Sequence, residues 1–207
     1  EHIHAHFGTN PALVAWSINI LTGISYTFTT HAHDLYVLRP MLAEKIQRAA
    51  KVFTISETNR RFLASTYGDQ VLGKISLIRC GVDTRVFSPT AHPSTPKIIV
   101  VCVASFRSYK GQEFLIEACG DLPKGLDLEC RLIGEGERRP ILEQLIADRN
   151  LTNRVKLLGA LPRDKVRDQL AQADIVVQPS IITSTGAREG IPVSLMEALA
   201  MERAVVA

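Results

Sequence analysis

Two glutamates eight positions apart, Glu189 and Glu197, carry the strongest chemical signal in this sequence. They lie in Thr185-Gly-Ala-Arg-Glu-Gly-Ile-Pro-Val-Ser-Leu-Met-Glu-Ala-Leu-Ala200, where Glu189 falls in a loop and Pro192 suits the first turn of a helix. Glu197 follows within that helix, among Val193, Leu195, Met196 and Leu199. A carboxylate among apolar neighbours needs a partner, because burying it alone is costly. Ligand hydroxyls would serve, and so would a structural arginine. The second signal is cationic. Arg107 and Lys110 close an apolar strand-like run, and Gly111 opens the next helix. A basic pair beside a helix N-terminus suits a phosphate or diphosphate, although two solvated surface cations would look the same. The triphosphate loop GxxxxGK[ST] is absent.

Gly134 and Gly136 in Leu132-Ile-Gly-Glu-Gly-Glu137 follow a strand and precede a helix, so backbone amides there can approach a ligand closely. A dinucleotide fingerprint would need glycine at 139, where Arg139 stands, and a plain tight turn fits equally. Leu157-Leu-Gly-Ala-Leu161-Pro162 reads as a strand-to-helix loop. Histidines mark the first half. Strand alternation puts His2, His4 and His6 on one face, and His31 with His33 on one face. Three such imidazoles match transition-metal ligands, but no cysteine or acidic ligand accompanies them and there is no HExxH. We therefore expect no metal, and one or two histidines lining a cleft. Cys80, Cys102, Cys119 and Cys130 form no CxxC and read as reduced thiols, which favours a reducing cytosol.

These residues need elements to position them. Strand-like runs at 3–7, 26–30, 52–55, 76–79, 98–104, 128–133, 155–158, 175–178 and 204–207 alternate with helical patterns near 11–21, 39–50, 57–67, 112–119, 138–148, 163–172 and 193–201. Strands separated by helical crossovers read as a parallel sheet, so the fold class is α/β, doubly wound. Three prolines between Phe87 and Pro96 break the rhythm. The expected division is 1–88, a linker over 89–96, and 97–207. Each part is short for a complete sheet domain, and the chain opens and closes on a strand, so both domains are expected to be incomplete. Hydrophobic residues at 46% and charged ones at 22% exclude disordered, collagenous and disulfide-scaffold classes. A net charge of +3, evenly spread, argues against a nucleic-acid partner. No apolar run reaches the ~20 residues of a membrane span, and no basic-then-apolar leader opens the chain, so export is not expected.

Taken together, the motifs resemble those of retaining glycosyltransferases of family 4, whose GT-B fold places two Rossmann-like domains across a cleft. Glu189-Gly-Ile-Pro-Val-Ser-Leu-Met-Glu197 matches the family's Glu-x7-Glu element. Support comes from Lys110-Gly111, Gly134-Glu-Gly136, Leu158-Gly159, Thr30-His-Ala-His-Asp34, Phe53-Thr-Ile-Ser-Glu57, and Ile78-Arg-Cys-Gly-Val-Asp83 followed by Phe87. The resemblance spans nearly the whole chain in the family's order. Two departures stand out. Many members have arginine where Ser105 stands, with Arg107 two residues further on, and Pro192 lacks the N–H that the family's usual Gly-Phe-Gly would supply.

The resemblance implies that Glu189 contacts hydroxyls of the donor sugar near the reacting centre, that Glu197 binds the ribose, and that Lys110 holds the diphosphate. Arg107 is a second candidate cation. Gly190 and Ile191 would offer amides to the phosphates or sugar, and Gly134, Gly136 and Leu161 would border the nucleotide. His31 aligns with the strand-end histidine near the transferred sugar, while His33 and His6 are expected on the acceptor side. It implies a hexose moved from a nucleotide diphosphate sugar to a glycan or lipid-linked acceptor, with neither metal nor cofactor. A cytoplasmic location is expected, with peripheral contact at the inner membrane face resting on analogy with the family. Two alternatives stay open: another GT-B enzyme such as a nucleotide-sugar epimerase, and a non-catalytic fragment.

Overall fold

A computed structural model describes residues 1–91 and 96–207. The chain divides into two compact units, one of Glu1–Cys80 with Ile182–Ile191, the other of Gly81–Ile181 with Pro192–Ala207. The change of unit therefore falls at Cys80/Gly81, ahead of the proline-rich stretch. The reason is Phe87, which is fully buried among Ile99, Val101, Ile133 and Leu170 of the second unit. Of the expected linker, His92–Thr95 lie outside the described residues.

The first unit holds a four-stranded parallel sheet in the order β1 (His2–His6), β2 (Ser25–Thr30), β3 (Lys51–Thr54), β4 (Ile75–Leu77). Between the strands run α1 (Asn10–Thr22), α2 (His33–Tyr36), α3 (Leu42–Arg48) and α4 (Glu57–Tyr67). Pro11 sits in the first turn of α1, and Gly23 ends it with φ 76°, donating its N–H to the Asn19 carbonyl. Ser56 caps α4 by accepting the Asn59 N–H. Alternation along the strands sends Ala5, Tyr26, Phe28 and Val52 into one core with Ala12, Ala15, Leu42, Ile46 and Leu63 of the helices.

The second unit holds a five-stranded parallel sheet in the order β7-β6-β5-β8-β9. Its strands are β5 (Ile98–Val103), β6 (Leu128–Ile133), β7 (Val155–Gly159), β8 (Ile175–Val177) and β9 (Ala204–Val206). The crossovers are α5 (Gln112–Asp121), α6 (Arg139–Asp148), α7 (Arg163–Gln172) and α8 (Val193–Ala200). Two cores form. One joins Val100, Cys102, Cys130 and Leu132 to Ile116, Leu142 and Ile146; the other joins Val101, Ile133 and Val176 to Leu170, Leu195 and Ala198. Strand order reverses at β5, and ligands of open α/β sheets bind outside the strand carboxyl ends at such a reversal.

Candidate functional site

In the second unit the reversal is flanked by the loop after β5 and the segment after β8. Lys110 ends a 3-10 turn (Ser108–Lys110) in the first, with its ammonium 5.1 Å from the Tyr109 ring centroid. Arg107 is exposed, and its carbonyl accepts the Lys110 N–H to close that turn. Gly111 has φ 66°, and a Cβ there would sit 2.0 Å from the Pro179 carbonyl oxygen, so the loops after β5 and β8 interlock only with glycine. Gly134 serves the next interlock in the same way: with φ 148°, its added Cβ would meet the Ala104 carbonyl oxygen at 2.0 Å. Phe106 N–H donates to the Glu135 carbonyl, Gly134 N–H to that of Gly159, and Gly136 backs closely on Phe106. Leu161 is half-buried in the loop after β7.

Glu197 lies on α8, half-buried beside buried Leu195 and Ala198. Burial pushes its carboxyl above the usual 4.5, partly offset by the positive charge of Arg163. That guanidinium is instead stacked on Phe87, 5.0 Å from the ring centroid. Among the described residues no hydrogen bond reaches the Glu197 carboxylate. Of the two partners left open by the sequence, the structural arginine makes no ion pair with it.

In the first unit the strand carboxyl ends carry a polar cluster. Asp34, fully buried, accepts the Gly8 N–H at 2.7 Å and the His31 N–H at 2.9 Å. Lys45, also fully buried, donates its ammonium to the Gly8 and Thr9 carbonyls. Its pKa is lowered by burial and raised again by Asp34 and Glu44. The His31 ring lies 6.0 Å from that of His6 and 4.6 Å from Phe7. Its Nε2 is buried with no partner among the described residues. His33 corrects the expectation of a shared strand face: β2 ends at Thr30, and His33 opens α2, exposed. Asp34 ties the end of β2 to the loop after β1 by accepting the His31 and Gly8 amides, a role the sequence pattern did not expose.

The alternating histidines of β1 form a hydrogen-bonded ladder with β2. His2 bonds to the hydroxyls of Ser25 and Thr27, and His4 to those of Thr27 and Thr29, at 2.7–3.0 Å. Among the described residues no group of three or more His, Cys, Asp or Glu side chains is placed to hold a metal ion. Burial lowers the pKa of His4 below 6.5, and His6 and His2 push the same way; burial lowers that of His31, Asp34 opposing and His6 assisting. The fold thus favours neutral rings. Its contribution is complete above about pH 6.5 and is lost as pH falls further, because the unfolded chain takes up protons first. The urea midpoint of the first unit is expected to drop between about pH 7.5 and 5.5, and His4→Gln to flatten that dependence; a midpoint that rises on acidification contradicts it.

Segment 182–191 contains Glu189, Gly190 and Ile191 and belongs by its contacts to the first unit. Glu189 folds its carboxylate back to accept the Gly190 N–H at 3.1 Å. A Cβ on Gly190 would lie 3.1 Å from Ile55 Cδ1 and 3.4 Å from Ala32 Cβ, close to the His31 carbonyl. The structure therefore gathers Glu189, Gly190, His31 and His6 within one unit, and Lys110, Arg107, Gly134, Gly136, Leu161 and Glu197 on loops and α8 of the other. Sequence reading missed Tyr36, Asn59 and Arg163. Only Asn59 left a trace, in its place within the first turn after the Ser56 cap.

Residues 84–207 match the family model described as glycosyl transferases group 1. The chain belongs to that family. It is 38% identical over 136 residues to a protein of Escherichia coli K12 provisionally named as the colanic acid biosynthesis glycosyltransferase WcaL, covering 64% of this chain and 33% of that protein. Against the amylovoran biosynthesis glycosyltransferase AmsK of Erwinia amylovora it is 36% identical over 135 residues, with the same coverage of 64% and 33%. The match thus spans about a third of the length of these curated relatives. By structure it superposes on HepE of Anabaena, crystallised with UDP, at a TM-score of 0.80 and 20% identity, covering 100% of this chain and 59% of HepE. The fold is GT-B, with parallel sheets and flanking helices as expected.

Proposed function

We propose that the protein bearing this chain is a retaining hexosyltransferase, moving a sugar from a nucleotide diphosphate sugar to a glycan or lipid-linked acceptor in polysaccharide or glycolipid biosynthesis. The observation that carries the reading is Glu197: a half-buried carboxylate with a raised pKa and no hydrogen bond among the described residues, on the helix after the sheet reversal. Such a group waits for hydroxyl donors, and ribose supplies two side by side. Lys110 gives the diphosphate a fixed cation, with Arg107 on the same loop. Gly134, Gly136 and Leu161 border the nucleotide. In the first unit Glu189 takes hydroxyls of the sugar, Gly190 and Ile191 present amides, and His31 offers its Nε2, which has no partner among the described residues. His33 and His6 line the acceptor side. That HepE was crystallised with UDP and with UDP-glucose supports the donor class.

In the reaction the sugar C1–O bond breaks with its electron pair passing to the diphosphate, and an acceptor hydroxyl forms the new bond and releases its proton. Lys110 and backbone amides stabilise the charge that grows on the leaving group. Donors and cations fixed in advance where charge develops usually lower a barrier more than any other device in an active site. The reading needs no metal or cofactor. We place the protein in the cytoplasm, which the four free cysteines support. Contact with the inner membrane face rests on the lipid-linked acceptors of the family; among the described residues no helix is long and apolar enough to cross a membrane. The test is a screen of sugar nucleotides with the full-length protein, with and without extracted glycan or lipid acceptors. Acceptor-dependent release of nucleoside diphosphate is expected. An epimerised sugar nucleotide formed from donor alone overturns transfer.

A further inference from the structure

Segment 182–191 is a compact turn in itself. Thr183 N–H donates to the Ala187 carbonyl and Gly186 N–H to the Thr183 carbonyl, both at 2.9 Å. Arg188 Nε donates to the Gly186 carbonyl at 3.3 Å, and its guanidinium carbon stands 4.3 Å from the centroid of the Tyr36 ring. A cation over a half-buried aromatic face is a directional contact, stronger than the same pair in open solvent. The far end of Tyr36 is also engaged: its hydroxyl donates to Asn59 Oδ1 at 2.7 Å. Asn59, 2% exposed, donates its Nδ2 to the His31 carbonyl and its backbone N–H to Ser56 Oγ. A short chain of side chains thus links the residue next to Glu189 to the backbone of His31. The Gly190 backbone closes the other side of the same patch, against Ile55 and Ala32.

We propose that Tyr36 and Arg188 are positioning residues: the Arg188–Tyr36–Asn59 chain sets the Glu189 loop and the His31 strand end in one geometry. The inference rests on the transferase reading for its consequence but on the contacts for its existence. A shift of about 1 Å in a group that orients the reacting sugar lowers turnover far more than it lowers affinity. Nucleotide affinity, by contrast, is assigned to residues of the other unit.

The experiment uses the full-length protein with Tyr36→Leu, Tyr36→Phe, Arg188→Gln, Arg188→Lys and the double variant Tyr36→Leu/Arg188→Gln. Tyr36→Leu and Arg188→Gln are expected to lower kcat about tenfold, with KM for the sugar nucleotide within about twofold of wild type. Arg188→Lys, which keeps a cation over the ring, should recover most of the loss. The double variant should be no slower than either single change, since both cut one link. Equal losses in kcat/KM through KM alone, or additive losses, overturn the proposal. Hydrogen exchange decides independently of turnover: amides of 182–191 should exchange faster in Tyr36→Leu and Arg188→Gln. Tyr36→Phe should leave that segment protected while loosening the amides near His31. Unchanged exchange in 182–191 overturns the coupling whatever the kinetics show. A wild-type protein that transfers no sugar, with exchange altered as expected, removes the transferase reading and leaves the coupling standing.

Discussion

Replacing Glu197 with glutamine is expected to weaken sugar-nucleotide binding about 10- to 100-fold and yet leave the second unit as stable as before, or more so. The two effects have one cause. Burial raises the pKa of this carboxyl above 4.5, with Arg163 only partly compensating, so the ionised form costs the free protein something to hold. By linkage that cost is present above the folded-state pKa and is relieved as pH falls through it. A neutral amide of the same shape avoids it. With ligand bound, the balance reverses: a carboxylate accepting hydroxyl hydrogen bonds contributes about 1.5–3 kcal/mol, which the amide loses in large part. Titration calorimetry and thermal unfolding of the same variant check both signs. Wild-type affinity is expected to fall on acidification at a higher pH than for an ordinary glutamate. Unchanged affinity removes the ribose role, and a clear loss of thermal stability assigns Glu197 to the fold instead.

The sequence disclosed Glu197 because a charge among Val193, Leu195, Met196 and Leu199 violates the helix pattern around it. It disclosed the strands because covered parallel strands read as apolar runs, and β5 and β6 stand close to where their runs predicted. Other features had no local signature. The Thr30-His-Ala-His-Asp34 run alternates like a strand, and nothing in its spacing announces that buried Asp34 gathers two amides and ends β2 at Thr30. The Arg188–Tyr36 contact joins residues 152 positions apart and could not be read from either neighbourhood. Phe87 misled in another way. It adjoins the prolines and falls by sequence in the part before the linker, but its ring is enclosed by the second unit's core.

Asp34→Ala should remove about 3 kcal/mol or more from the first unit. The substitution leaves the Gly8 and His31 amides without acceptors and deprives buried Lys45 of its nearby negative charge. Orphaned buried donors cost about 1–3 kcal/mol, and breaking up a buried charge arrangement costs about 3–5 kcal/mol. Asp34→Asn keeps one acceptor oxygen and should fall between wild type and alanine. Urea unfolding followed by a probe in the first unit, such as the single tryptophan Trp16, measures the series. A loss under about 1 kcal/mol for alanine would show that water replaces the carboxylate and that the cluster is open to solvent.

The polypeptide passes from one unit to the other three times, at Cys80/Gly81, Ile181/Ile182 and Ile191/Pro192, so neither unit is a single continuous stretch. Chimeras assembled from two relatives at one seam near the prolines would carry ten foreign residues, 182–191, onto a bed of Tyr36, Ile55 and Ala32 that never evolved beside them. Exchange of specificity between family members is better attempted with that tongue and its bed inherited from the same parent.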